Sequence, residues 1–257
     1  MKYGICTGAS EALNAKKCGY DYIESALQVV ANMSEDDFNV FLETMRKADM
    51  KCTAMCGFFP PTIKLVGDEA DFEVIKAYID FSLSRASKLD AEIVVFGSGA
   101  ARTIPEGADA KKCTAQLVSA IKYAGEVAAK YGIMIVIEPL NANETNIATT
   151  VPDAVRFVKT VDLPNVKTMV DFHHFHIMNE DYSELFEAKE YLAHMHIARG
   201  TADRGVPCLE SDREYLKEVF GIINKLGYNG TLTIEAIYKD FQTEMENAIK
   251  MFKEVNT

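Results

Sequence analysis

One short punctuation mark recurs five times along the chain. A stretch of helical character ends in Lys, one residue follows, then Gly or Asp, and an apolar run begins. It occurs as KCG at 17–19, KAD at 47–49, KLD at 88–90, KYG at 130–132 and KLG at 225–227. Lysine suits the negative end of a helix dipole. Gly, and less readily Asp, accepts the left-handed conformation that closes a helix. Five helices therefore stop in the same way and feed five strands.

The full pattern predicts strands near Tyr3–Thr7, Tyr22–Ser25, Cys52–Gly57, Ile93–Gly97, Ile133–Glu138, Lys167–Asp171, Ala193–Ala198 and Thr231–Glu235. Helices are expected over Ser10–Lys17, Ser34–Lys47, Asp68–Lys88, Ala108–Tyr131, Pro152–Val161, Glu180–Lys189, Ser211–Leu226 and Phe241–Glu254. The runs IVVF and IMIVI are continuously apolar, as in a parallel sheet covered on both faces. Eight alternating units in 257 residues give about 32 residues each. A (β/α)8 barrel typically takes about 250 residues. A doubly wound sheet would more often carry a Gly-rich loop after its first strand, and here that loop is CTGAS. The expectation is an α/β protein, a TIM barrel formed as one domain over residues 1–257.

In a barrel of this kind chemistry sits where strands end. The second expected strand ends in Glu24, the fifth in Glu138 (VIEPLN) and the sixth in Asp171 (MVDFHH). The seventh carries His194 and His196 (AHMHIA), and the eighth ends in Glu235 (TIEA). Ionised carboxylates at an apolar mouth need partners. A lone acid there is more often a salt bridge; four consecutive strand ends bearing acids or imidazoles point to a divalent cation. Three carboxylates and one imidazole suit Mn²⁺, with Mg²⁺ or Co²⁺ as alternatives, better than a structural zinc. His196 lies nearer the strand end than His194, which shares its face.

Charge and composition remove other classes. Lys plus Arg is 27 and Asp plus Glu is 38, a net −11, and no basic patch offsets it. Nucleic acid is not an expected partner. No apolar run has the roughly 20 residues of a membrane span, and the first residues lack a signal-peptide core, so a cytoplasmic protein is expected. The six cysteines are read as buried small hydrophobes, Cys52 and Cys56 included, since CxxxC is neither a redox nor a zinc spacing.

Five stretches carry a resemblance: FGSGAARTIPEG at 96–107, IEPLNANETNIATT at 137–150, VDFHHFHI at 170–177, HMHIARGTADRGVP at 194–207 and TIEA at 233–236. With them the chain resembles, over essentially its whole length, the xylose isomerase-like barrel superfamily of sugar phosphate isomerases and epimerases. Within it the likeness is to the D-tagatose and D-psicose 3-epimerase type. The resemblance implies that Glu138, Asp171, His196 and Glu235 hold one divalent metal ion. It implies that Glu144, His174 and Arg204 meet a small-molecule sugar, and that the protein forms dimers or tetramers. Eight positions separate His196 from Arg204, more than the family pattern has, which makes Arg199 a rival. Phe58 and Phe59 are candidates for an apolar cover over the sugar. His173 and His176 are read as loop or core residues, and Arg102 and Glu24 are left open.

The implied chemistry is a ketose 3-epimerase acting through a cis-enediolate, with Glu138 and Glu235 as acid and base. The same parts would serve an aldose–ketose isomerase, or a dehydratase or lyase acting on a keto-sugar or inosose. A non-catalytic carbohydrate-binding barrel and a DNA-repair endonuclease barrel rank below these. The last would need more than the five histidines here and a basic face.

Overall fold

A computed structural model of the protein describes every residue except Ala202 and Thr257. Ala202 falls within the 194–207 stretch and Thr257 ends the expected domain; both lie outside the described residues. Eight parallel strands close into a barrel in sequence order: β1 (Lys2–Cys6), β2 (Tyr22–Ala26), β3 (Lys51–Cys56), β4 (Ile93–Phe96), β5 (Met134–Ile137), β6 (Val166–Asp171), β7 (Leu192–Ile197) and β8 (Thr231–Ile234). Closure comes from β1 pairing with β8, with Gly4 opposite Thr233.

All five punctuation residues adopt the left-handed conformation: Gly19, Asp49, Asp90, Gly132 and Gly227 have φ of 96°, 47°, 55°, 71° and 64°. The helix starts differ more from expectation than the stops do. The helices Phe72–Lys88, Ala110–Ala129 and Tyr182–Glu187 begin after Asp71, Asp109 and Asp181, whose carboxylates accept backbone N–H groups of the first turn. Each such cap stabilises by about 1 kcal/mol. Two short helices, Leu27–Asn32 and Gly99–Arg102, were not expected. A third, Phe172–Ile177, replaces an expected loop, because Asp171 caps it through His173 N at 2.7 Å.

The core has two layers. The larger lies between the outer barrel surface and the helices. Phe58 and Phe59 belong to it, buried against Phe96 and Tyr78, and so give no open cover over the mouth. The inner layer is Tyr22, Ala54, Ile93, Val95, Val136 and Met169. Tyr22 reaches across the barrel to hydrogen-bond Thr233 (2.8 Å), through the space a Cβ on Gly4 would take: that atom would lie 2.2 Å from the ring. Side chains alternate along a strand. Two residues beyond Tyr22, Ala54, Val95, Val136 and Met169 come Glu24, Cys56, Gly97, Glu138 and Asp171. The packed floor thus aims the next inward positions at the mouth.

Candidate metal centre at the barrel mouth

One oxygen each from Glu138, Asp171 and Glu235 and one nitrogen of His196 all lie within 4.8 Å of one another. The strand register explains the convergence: Asp171 pairs with His196, and His196 with Thr233, two residues before Glu235. Glu138 N donates to Phe96 O (3.2 Å) and Glu235 N to Ile197 O (3.1 Å), so both acids continue their strands' ladders as they leave the sheet. Gly97 supplies the room: a Cβ there would sit 2.2 Å from Glu138 Oε2.

Glu24 proves to be part of the site. It is fully buried, and its two oxygens take His194 Nε2 and His196 Nε2, each at 3.0 Å. A carboxylate only accepts, so the protons are on those nitrogens. His194 is completed by Thr231 Oγ1 at 2.7 Å from Nδ1, one layer below the centre. The two imidazoles hold the Glu24 carboxyl far below its usual range despite burial. Sequence reasoning could not separate Glu24 from a barrel-end salt bridge, because its partners are about 170 residues away.

His196 Nδ1 faces Glu235 Oε2 at 2.9 Å and Glu138 Oε1 at 3.5 Å, yet it is buried and makes no hydrogen bond. Its tautomer is fixed from the other side by Glu24, as in metal-binding histidines. Burial works against the imidazolium, but Glu24 and Glu235 outweigh it and hold its pKa well above the ordinary value. The two mouth acids are driven apart. Burial raises the Glu138 pKa, whereas at Glu235 the opposing pull of His196 and Arg204 overcomes burial and sets it at about 2. Such divergence is how one site holds an acid and a base.

Arg204 reaches this cluster, and Arg199 does not. Arg204 Nη2 lies 2.7 Å from Asp171 Oδ2 and 2.5 Å from Glu235 Oε2. The longer loop is brought back by a bridge between Gly205 and Ile237 and a left-handed turn at Arg204 (φ 48°). Arg199 is held by Asp212 at 3.1 Å and Asp203 at 3.4 Å. The Arg204 guanidinium and the His196 imidazolium together still leave Glu138, Asp171, Glu235 and Glu24 with carboxylate charge in excess. The orphaned Nδ1 and that excess both fit a divalent cation.

His174 and Glu144 sit to one side, joined by Asn141, a residue the sequence did not single out. Asn141 Nδ2 is 2.8 Å from His174 Nδ1 and donates to Glu144 Oε1 at 3.1 Å. This leaves His174 Nε2 facing Asp171 Oδ2 at 3.5 Å. The available signal was that Asn141 lies three residues before Glu144 in the same loop. Arg102 is entirely buried and donates to the carbonyls of Glu138 (2.7 Å), Phe96 (3.2 Å) and Ala148 (3.4 Å), so it braces the site from behind. His176 bonds Tyr182 (2.9 Å), and neither it nor His173 joins the centre.

Residues 12–255 match the family model described as xylose isomerase-like TIM barrel. The chain belongs to that family. It is 27% identical over 250 residues to D-psicose 3-epimerase of Agrobacterium fabrum, covering 93% of this chain and 82% of that one. It is 24% identical over 260 residues to inosose isomerase of Halalkalibacterium halodurans (93% and 86%). The crystal structure of D-allulose 3-epimerase from Methylomonas sp. in complex with D-allulose superimposes with a TM-score of 0.81 at 20% identity, over 99% of this chain and 96% of that one. No helix among the described residues is long and apolar enough to cross a membrane.

Proposed function

We propose that the protein is a metal-dependent ketose 3-epimerase. The observation that carries this reading is the meeting of Glu138 and Glu235, with Asp171 and His196, around one point. The family's 3-epimerase members support the choice of reaction. One Glu removes the proton beside the ketose carbonyl, leaving a cis-enediolate, and the other delivers a proton to the opposite face of C3. In the reverse direction the two exchange roles. A divalent cation held by Glu138, Asp171, His196 and Glu235 would supply the charge that stabilises the enediolate and polarises the carbonyl. His174 and Arg204 hydrogen-bond the substrate oxygens, and Glu144 orients a hydroxyl further along the sugar. Mn²⁺ is the first choice for the cation, then Mg²⁺ or Co²⁺, because three of four donors are carboxylates. We also take residues 1–257 as one domain on the strength of the β1–β8 closure. The six free thiols support a cytoplasmic setting, and dimers or tetramers are expected by likeness to the family.

Turnover of a ketose panel in deuterium oxide with Mn²⁺ tests the reaction. A 3-epimerase leaves solvent deuterium at C3 of the product and none at C1. Label at C1 or C2 identifies an aldose–ketose isomerase, and a lost hydroxyl identifies a dehydratase. The inosose isomerase relative makes a cyclic keto-polyol the second substrate class to include. Full turnover without label at C3, persisting over long incubation, overturns the epimerase reading.

A further inference from the structure

Beside the carboxylate-rich centre stands a second cluster of different chemistry. Cys6 at the end of β1 and Cys56 at the end of β3 are free, half-buried thiols. Their sulfurs and a Glu235 oxygen all lie within 4.8 Å of one another. β1 and β3 are not neighbours; β2 lies between them. The contact arises because Cys6 pairs with Glu24 and Cys56 with Ala26, so both thiols lean over the same strand end. The expectation that Cys56 is a buried hydrophobe like Cys52 holds in part: it packs on the inner apolar cluster but is only half-buried. Cys52 is buried, while Cys56 extends the inward row two positions past Ala54. A cavity of about 640 Å³, lined also by Ala26, Val29 and Met33, opens onto both thiols.

We propose that Cys6, Cys56 and Glu235 form a second cation site, selective for thiophilic divalent ions such as Zn²⁺ or Cd²⁺, that shares Glu235 with the hard-metal centre. Two sulfurs bound tetrahedrally to zinc at about 2.3 Å stand about 3.8 Å apart, within the spacing found here. The donor sets divide the metals. Oxygen-rich Glu138–Asp171–His196–Glu235 suits Mn²⁺ or Mg²⁺, whereas the paired thiols, each releasing its proton to solvent as the ion binds, prefer Zn²⁺ and Cd²⁺. Glu235 cannot serve both sites fully, so a soft cation on the thiols withdraws an acid from the reaction. Inhibition by this route rests on the epimerase reading; binding does not.

The test is a Cd²⁺ titration of the Mn²⁺-loaded protein, followed by the ultraviolet thiolate-to-cadmium charge-transfer band and, in parallel, by ketose turnover. The expected result is a band saturating at one cadmium per chain with the intensity of two thiolates, and a tenfold or greater fall in turnover over the same range. Cys6→Ser and Cys56→Ser should each halve the band, while Cys113→Ala, in the helix Ala110–Ala129, leaves it unchanged. A wild-type protein that shows no band, or a band at full intensity in either Ser variant with a native circular dichroism spectrum, overturns the proposal. If no ketose is turned over with Mn²⁺ alone, the epimerase reading fails while the band still reports on the thiol site. If turnover is normal and no band forms, the thiol site alone fails.

Discussion

Glu24 Oε1 and His196 Nε2 lie 3.0 Å apart with no access to solvent, and this bond determines which face of the imidazole meets the three mouth carboxylates. Glu24→Gln replaces an acceptor shared by two rings with an amide that can accept from only one. We expect Mn²⁺ affinity to fall about 10- to 100-fold, the usual cost of losing the partner that orients a ligand histidine. Isothermal titration calorimetry with Mn²⁺ measures it. Unchanged affinity would mean that Nδ1 is held in place without Glu24.

Glu138→Gln keeps the side chain's shape and removes its base. Turnover should fall by about 10² to 10⁴. Thermal unfolding should stay near the parent's or improve, because burial already disfavours the Glu138 carboxylate. Loss of the folded state, or a near-normal rate, would show Glu138 to be structural.

At Gly97 an alanine methyl would lie 2.2 Å from Glu138 Oε2 but 3.3 Å from its Cδ and 3.7 Å from its Cβ. The end of the side chain must move and the backbone need not. Gly97→Ala should therefore cost activity far more than stability, with kcat down about 10- to 100-fold for a displacement near 1 Å. Steady-state kinetics beside a melting curve separates the two.

Glu180 is a pH-dependent element away from the centre. Burial, with the neighbouring Glu184 carboxyl, raises its pKa to about 8, although its Oε2 accepts from Val151 N at 2.7 Å. The folded protein therefore holds a proton that the unfolded chain gives up near 4.5. The stabilisation is complete below that value and is lost as pH rises toward about 8. Glu180→Gln keeps the bond to Val151 and removes the titration. Its melting temperature should gain on the parent's between about pH 5 and about pH 9. A constant difference across that range would refute the assignment.

The barrel and four of its mouth residues were legible because each rests on a local signal. Glu138, Asp171, His196 and Glu235 end runs that are otherwise apolar, and the helix stops repeat. Features set by long-range meeting were not legible. Glu24 depends on histidines from β7, and Arg204 was separated from Arg199 only by the path of a loop that closes on Ile237. Asn141 and Gly97 carry no charge to draw notice, though both lie at or just beyond a strand end. The FHHFHI segment reads as a loop unless Asp171 is credited with capping duty as well as its place at the mouth.

Tyr22 lies in the space that a side chain on Gly4 would need, and its hydroxyl is tied to Thr233. This couples three strands' histories. Any residue larger than glycine at position 4 requires a smaller one at position 22, and a smaller one there frees Thr233 and hollows the floor directly beneath Glu24. Relatives that differ at one of these positions should differ at the other, and a change at either taken alone should reach the mouth acids from below without touching them.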